Sequence, residues 1–282
     1  MRYIICLLAF TFSFKCVSNE PNTIQHYQFQ TRYEFGQKVL ELALSKIKTH
    51  YDIIAPDRQL LNEARGEYKV ISGELDIQWL STTVKREAKM IPIKIPLYRG
   101  LLGLRLLLVR SENQQRFAHI KTAEELSDFV GGHGAHWGDL PVYKANGLPV
   151  RMYGDYETLF RLLEDNRFDY FHRGVNEIWK ELALRNDTLS IANGIMLFYP
   201  HPVYFFVTKS RPKLAANIEK GLKKAIEDGS LKDLFSQYHQ EYIDQANLTS
   251  RTLIRLNNPV NPISMPTIDT SWWLPNQFQV TQ

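Results

Sequence analysis

Two apolar runs constrain this chain more than any other feature: Leu101–Val109, broken only by Gly103 and Arg105, and Val203–Val207. A run without polar alternation reads as a strand covered on both faces, the setting of a sheet packed between helices. The segment between them carries its own pattern. A helix opens near Thr122 with Glu124 and Glu125 in its first turn, a glycine-rich loop spans 131–138, a helix runs over Tyr156–Glu164 and a strand over Phe168–Phe171. A unit with its own core, set between two buried strands, predicts two lobes joined by those strands as crossovers.

The flanking segments fit the same plan. Val39, Leu40, Ala43, Leu44 and Ile47 recur at helical spacing, so Phe35–Ile47 predicts an amphipathic helix. A strand at Tyr51–Ile54, a helix over about Arg58–Gly66, a turn at Gly73 and a further strand follow. Beyond the second run, Pro212–Asp228 is patterned as a helix that stops at Gly229, and Leu231–His239 begins another. The alternation predicts an α/β protein in which each lobe is a mainly parallel sheet flanked by helices. Lobe I comprises 19–107 plus 203–245, and lobe II comprises 108–202. Residues 246–282 bear prolines and no periodicity, and read as an irregular strap anchored by Trp272 and Trp273.

The chain begins with Arg2, an apolar run from Tyr3 to Phe14, and Lys15-Cys16-Val17-Ser18. This pattern predicts a signal peptide over 1–18, cleaved before Asn19, with an apolar stretch too short to span a bilayer. The expectation is export to the periplasm. Both cysteines, Cys6 and Cys16, fall in that segment, so the remainder forms no disulfide. Taking Arg2 and Lys15 from the 34 basic residues leaves 32 against 30 acidic ones, with no long run of one sign. Neither nucleic acid nor an anionic membrane is called for, and a monomer is expected.

Several segments resemble the type-two periplasmic solute-binding proteins of the amino-acid-binding superfamily, the bacterial extracellular solute-binding family 3-like group. Gly73-Glu74-Leu75-Asp76 is similar to that family's glycine, variable, apolar, aspartate turn in the first lobe, and Asn166-Arg167-Phe168-Asp169 to its second-lobe counterpart. Ser81-Thr82-Thr83-Val84-Lys85-Arg86, followed by Ile95-Pro96-Leu97-Tyr98, resembles the hydroxyl-rich loop, helix-opening arginine and proline-tyrosine before the crossover. Tyr204–Lys209, Lys213-Leu214-Ala215 and Asp228-Gly229-Ser230-Leu231 resemble the return strand, long helix and capped ending. Stretches such as Ile95–Gly103 and Arg173–Trp179 resemble gammaproteobacterial members in particular. The likeness implies a two-lobed protein that closes on a small polar or anionic solute, amino-acid-like or a carboxylate, and serves an ABC permease or a membrane sensor, without a cofactor.

The resemblance places Arg86 where relatives fork a guanidinium onto a ligand carboxylate, with Ser81 and Thr83 beside it. The competing reading for Arg86 is a surface arginine paired with Glu87 or another acid. In the second lobe the position that carries an ammonium-binding acid in relatives holds Gly174, next to Arg173. Arg173 is suited to an anionic group or to an interlobe ion pair, and Glu177 to an amine. Tyr98 is a lining or a core aromatic, as is Trp79, and Arg99 is a ligand contact or a hinge buttress. In the stretch Gly131–Asp139 the glycines would let backbone approach a ligand, and Trp137 would stack on it. His133 and His136, with Asp139 as the nearby acid, are candidate contacts but too few donors for a metal site.

The alternatives are a ligand-responsive signalling partner without a transport role and an enzyme of the same fold, as in dehydratases that resemble solute-binding proteins. His133, His136, His172 and Glu177 are then the available acid–base groups. No nucleophile elbow, phosphate loop or zincin helix accompanies them.

Overall fold

The computed structural model describes residues 21–54, 61–260 and 272. The expected signal peptide and the end of the strap, Trp273 included, lie outside the described residues.

Lobe I is built from two separate stretches of the described chain. It opens with β1 (Thr23–Gln25), α1 (Glu34–Ser45), β2 (Asp52–Ile54), α2 (Glu63–Ser72), β3 (Ile77–Ser81), α3 (Val84–Lys89) and β4 (Ile91–Ile93). The chain turns through Leu101–Gly103 and enters lobe II. There it forms β5 (Leu104–Arg110), α4 (Ala123–Leu126), β6 (Gly131–Gly134), α5 (Leu140–Ala145), β7 (Val150–Tyr153), α6 (Tyr156–Glu164) and β8 (Tyr170–Gly174). After α7 (Ile178–Ala183), β9 (Leu189–Ile191) and β10 (Ile195–Phe198) it returns as β11 (Val203–Val207), α8 (Pro212–Glu227) and α9 (Ser230–Ala246), and ends in β12 (Thr252–Arg255). The helix expected over about Arg58–Gly66 starts at Glu63 and runs on to Ser72, where Gly73 takes the left-handed φ of 84° that ends it.

The two apolar runs are covered on both faces. Along β11, Val203, Phe205 and Val207 join the cluster under α1 and α8, while Tyr204 and Phe206 point to the opposite side with Val70, Leu75 and Met90. Along β5, Leu106 and Leu108 face α6, and Leu107 and Val109 face Phe117 and Tyr143. Full burial on both faces explains why neither strand shows alternation in sequence.

The sheets are mixed, which corrects the expectation of mainly parallel ones. In lobe I, β11 lies between β3 and β4 and runs antiparallel to both. In lobe II the seven-stranded sheet has the path β12-β10-β5-β8-β6-β7, with β9 on β5. The β12/β10, β8/β6 and β6/β7 pairs are parallel, and every pair made by β5 is antiparallel. A strand that carries the chain between lobes enters its sheet against the direction of the βα units already there.

Two further expectations are corrected. Thr252–Arg255 is not irregular, because it pairs with β10 and gives lobe II an edge strand from the C-terminal part of the chain. Gly131–Gly134 is a buried strand rather than a loop. A Cβ on Gly132 would stand 2.4 Å from the Phe168 ring, and one on Gly134 would stand 2.4 Å from Trp137. These glycines make room for aromatic rings inside lobe II.

The two aspartate turns do matching work. The Asp76 carboxylate accepts the Gln25 N–H at 2.7 Å, and the Asp169 carboxylate accepts the Val130 N–H at 2.8 Å. In each lobe the acid ties the strand that follows it to a neighbouring one, at the end of β1 in lobe I and just before β6 in lobe II.

Candidate functional site

A cavity of about 470 Å³ lies between the lobes. Lobe I contributes Tyr33 at the start of α1, Glu63 at the start of α2, Trp79 and Ser81 at the end of β3, and Tyr98 in the connection to lobe II. Lobe II contributes Trp137 and Asp139 after β6, Tyr156 at the start of α6, Arg173 near the end of β8, and Glu177 and Glu181 around the start of α7. These are carboxyl ends of strands and amino ends of helices, where α/β sheets expose polar groups to a ligand.

Arg173 is the centre of the lobe II wall. Its Nε and Nη2 each donate to Glu181 at 2.7 Å, and Nη2 lies 3.2 Å from Glu177. Tyr156 Oη donates to Glu181, and the guanidinium lies 5.0 Å over the Trp137 ring and 5.5 Å over that of Tyr156. Glu177 also accepts the Gly174 N–H at 2.9 Å and faces Arg105 at 3.6 Å. Burial alone would push its carboxyl up, but Arg173 and Arg105 outweigh that and hold it below the ordinary value.

Behind this wall, Arg105 Nη2 donates to Asp139 at 3.0 Å and Tyr199 Oη donates to it at 2.6 Å. His133 Nε2 stands 3.2 Å from the same carboxylate, an ion-pair distance without a well-aligned hydrogen bond. Against the upward push of burial, His133, His201 and Arg105 hold Asp139 well below the usual carboxylate range.

Arg86 departs most from expectation. Its side chain is buried, and every nitrogen is taken from within. Nε donates to Glu67 at 3.0 Å, Nη1 donates to the Ser81 carbonyl at 2.8 Å and to Ser81 Oγ at 3.1 Å, and Nη2 donates to Glu63. Its acid partners are Glu63 and Glu67 rather than Glu87, and it is buried rather than at the surface. Both are on α2, one helical turn apart, and α2 lies against the start of α3 where Thr83 Oγ1 caps the Arg86 N–H.

Of the other sequence candidates, Ser81, Tyr98, Trp137, Arg173 and Glu177 line the cavity. Four do not. Thr83 is used as the cap just described. Arg99 donates through Nε to the Trp272 carbonyl at 2.8 Å and lies over the Phe235 and Trp272 rings, a buttress of the inter-lobe connection. His133 is enclosed in lobe II, and His136 is exposed. His172, an acid–base candidate, is also enclosed: it stacks on Tyr143 at 4.1 Å, and burial drives its pKa well below the ordinary value. Glu177 alone of the four acid–base candidates reaches the cavity. Sequence reasoning missed Tyr33, Glu63, Arg105, Tyr156, Glu181 and His201. Tyr156 sits at the expected start of a helix, the one local signal among them, whereas Glu63 falls inside a helix expected to begin near Arg58.

No family model matches the chain, and no curated protein matches it in sequence. Solved structures do match in shape. An ancestral arginine-binding protein bound to arginine has a TM-score of 0.59 at 17% identity, over 77% of this chain and 98% of that one. The chain has the two-lobed type II fold of solute-binding proteins. An amino acid ABC transporter substrate-binding protein from Streptococcus pneumoniae, bound to L-arginine, has a TM-score of 0.57 at 15% identity, over 74% of this chain and 84% of that one. A structure concerned with glutathione import through GshT and the cystine importer TcyBC of Streptococcus mutans has a TM-score of 0.59 at 16% identity, over 77% and 95%. In this two-lobed fold the cavity described above is the interlobe cleft. Among the described residues no helix is long and apolar enough to cross a membrane, and no cluster of three or more metal-ligating side chains occurs.

Proposed function

We propose that the chain is a periplasmic solute-binding protein that captures a small polar solute between its lobes and presents it to an ABC permease or a membrane sensor. One observation carries this reading. The cavity draws charged and aromatic side chains from both lobes, Glu63 and Tyr33 from one and Arg173, Glu177 and Tyr156 from the other. A ligand that touches both walls binds the closed arrangement better than the open one, and that difference is what drives closure. Similar structures solved with arginine, and one concerned with glutathione import, support a small polar ligand. The amino-terminal pattern read above as a signal peptide supports export.

The test is a thermal-shift screen of the exported chain against amino acids, amines, carboxylates, peptides and sugars, with small-angle scattering on each hit. A ligand at a hundred times its Kd should stabilise the fold by about 2.7 kcal/mol, and closure should shrink the radius of gyration. No stabilisation by any compound, or chemical turnover of one that binds, would overturn the proposal.

A further inference from the structure

Among the described residues, three guanidinium groups buried in or just behind the cleft walls are enclosed by five carboxylates. Glu63 and Glu67 hold Arg86, and Asp139, Glu177 and Glu181 hold Arg105 and Arg173. With the histidines neutral, this network carries an excess of two negative charges. The cations at the mouth offset it weakly. Arg32 and Lys180 are exposed and screened by water and salt, and Arg185 is paired with Glu157 at 2.6 Å. Of the network's carboxylates that line the cavity, Glu63 and Glu177 are the most open, with 19% and 29% of their side chains exposed, and they approach from opposite lobes.

The aromatic lining has the same preference. The Arg32 guanidinium lies 4.7 Å over the Tyr33 ring of lobe I and 5.1 Å over the Tyr156 ring of lobe II. A planar cation therefore already rests between rings of the two lobes, as the negative faces of aromatic rings favour.

We infer that the cleft is built for an organic cation of the amine or guanidinium class that carries no carboxylate, with Glu63 and Glu177 as its counter-charges and Tyr33 and Tyr156 as its stacking surfaces. This rests on the solute-binding reading above. A ligand carboxylate would meet an Arg86 fork that is already filled and would add a third negative charge. A cation cancels one. Closure also carries Glu63 and Glu177 toward each other, so a cation between them gains affinity in the closed state that a neutral or anionic solute does not.

Calorimetry on the exported chain tests this directly, with agmatine, putrescine and spermidine set against arginine, ornithine, glutamate, citrate and glucose. Agmatine and arginine differ only by the carboxylate. Agmatine should bind at least about tenfold more tightly than arginine, and glutamate and citrate should not bind. Glu177→Gln should weaken agmatine about tenfold or more, whereas Glu63→Gln should weaken agmatine and strengthen arginine by partly freeing Arg86. Arginine, glutamate, citrate or glucose binding as tightly as agmatine would overturn the ligand class and leave the solute-binding reading standing. Absence of binding by every compound, confirmed by thermal shift, would remove both. The comparison on the unaltered protein decides the matter even if a variant fails to fold.

Discussion

Arg86 donates through Nε to Glu67 at 3.0 Å, across the junction of α2 and α3. With Glu63 on the same guanidinium, the arginine is a structural cross-link of lobe I. Arg86→Ala should therefore act on the fold first. It leaves two partly buried carboxylates without their counter-charge, which costs about 3–5 kcal/mol. Urea denaturation should show the loss, and Arg86→Ala combined with Glu63→Gln and Glu67→Gln should recover part of it.

Arg173 and Glu181 form the buried fork of lobe II. Glu181→Ala should destabilise by about 3–5 kcal/mol because it leaves Arg173 underpaired against apolar rings. Replacing both together, Arg173→Met with Glu181→Leu, should cost far less. A double-mutant cycle measured by chemical denaturation gives the coupling, and a near-zero coupling would show that the fork is incidental.

Gly134→Ala places a methyl group where the Trp137 ring now lies. The ring must move, at a cost of about 1–3 kcal/mol, and with it moves one wall of the cleft. The expected outcome is a lower midpoint of thermal unfolding together with altered tryptophan fluorescence. Ala at Gly154, where a Cβ would meet nothing within 4 Å, is the control.

His239 packs against Phe35, Tyr98 and Phe235 with neither ring nitrogen hydrogen-bonded, and burial lowers its pKa to about 3. The unfolded chain takes up the proton near pH 6.5 and the folded one does not. Stability is thus full above pH 6.5 and falls as pH drops toward about 3, by about 1.4 kcal/mol per pH unit from this residue. His26 and His201, lowered by burial to about 4, add to the slope over the upper part of that window. His239→Phe should keep the packing and flatten the pH dependence of the denaturation midpoint, and an unchanged slope would contradict the assignment.

What the sequence determined by itself follows from local rules. Val203–Val207 and Leu104–Arg110 are strands covered on both faces because nothing polar interrupts them at the spacing of an exposed face. The helix at 212–227 ends before Gly229 because glycine accepts the left-handed turn. The aspartates of the two turns sit where backbone N–H groups need an acceptor. Tertiary structure decided the rest. Gly131–Gly134 is a strand because rings from Phe168 and Trp137 fill the space its missing side chains leave, and Phe168 is not part of any local pattern around it. Thr252–Arg255 is a strand because β10 offers it an open edge. Arg86 points inward because α2 brings two carboxylates to it from 19 and 23 residues away. A guanidinium in sequence is only a capacity to bind an anion. Which anion fills it is settled by the distances that folding creates, and here those distances favour the chain's own acids.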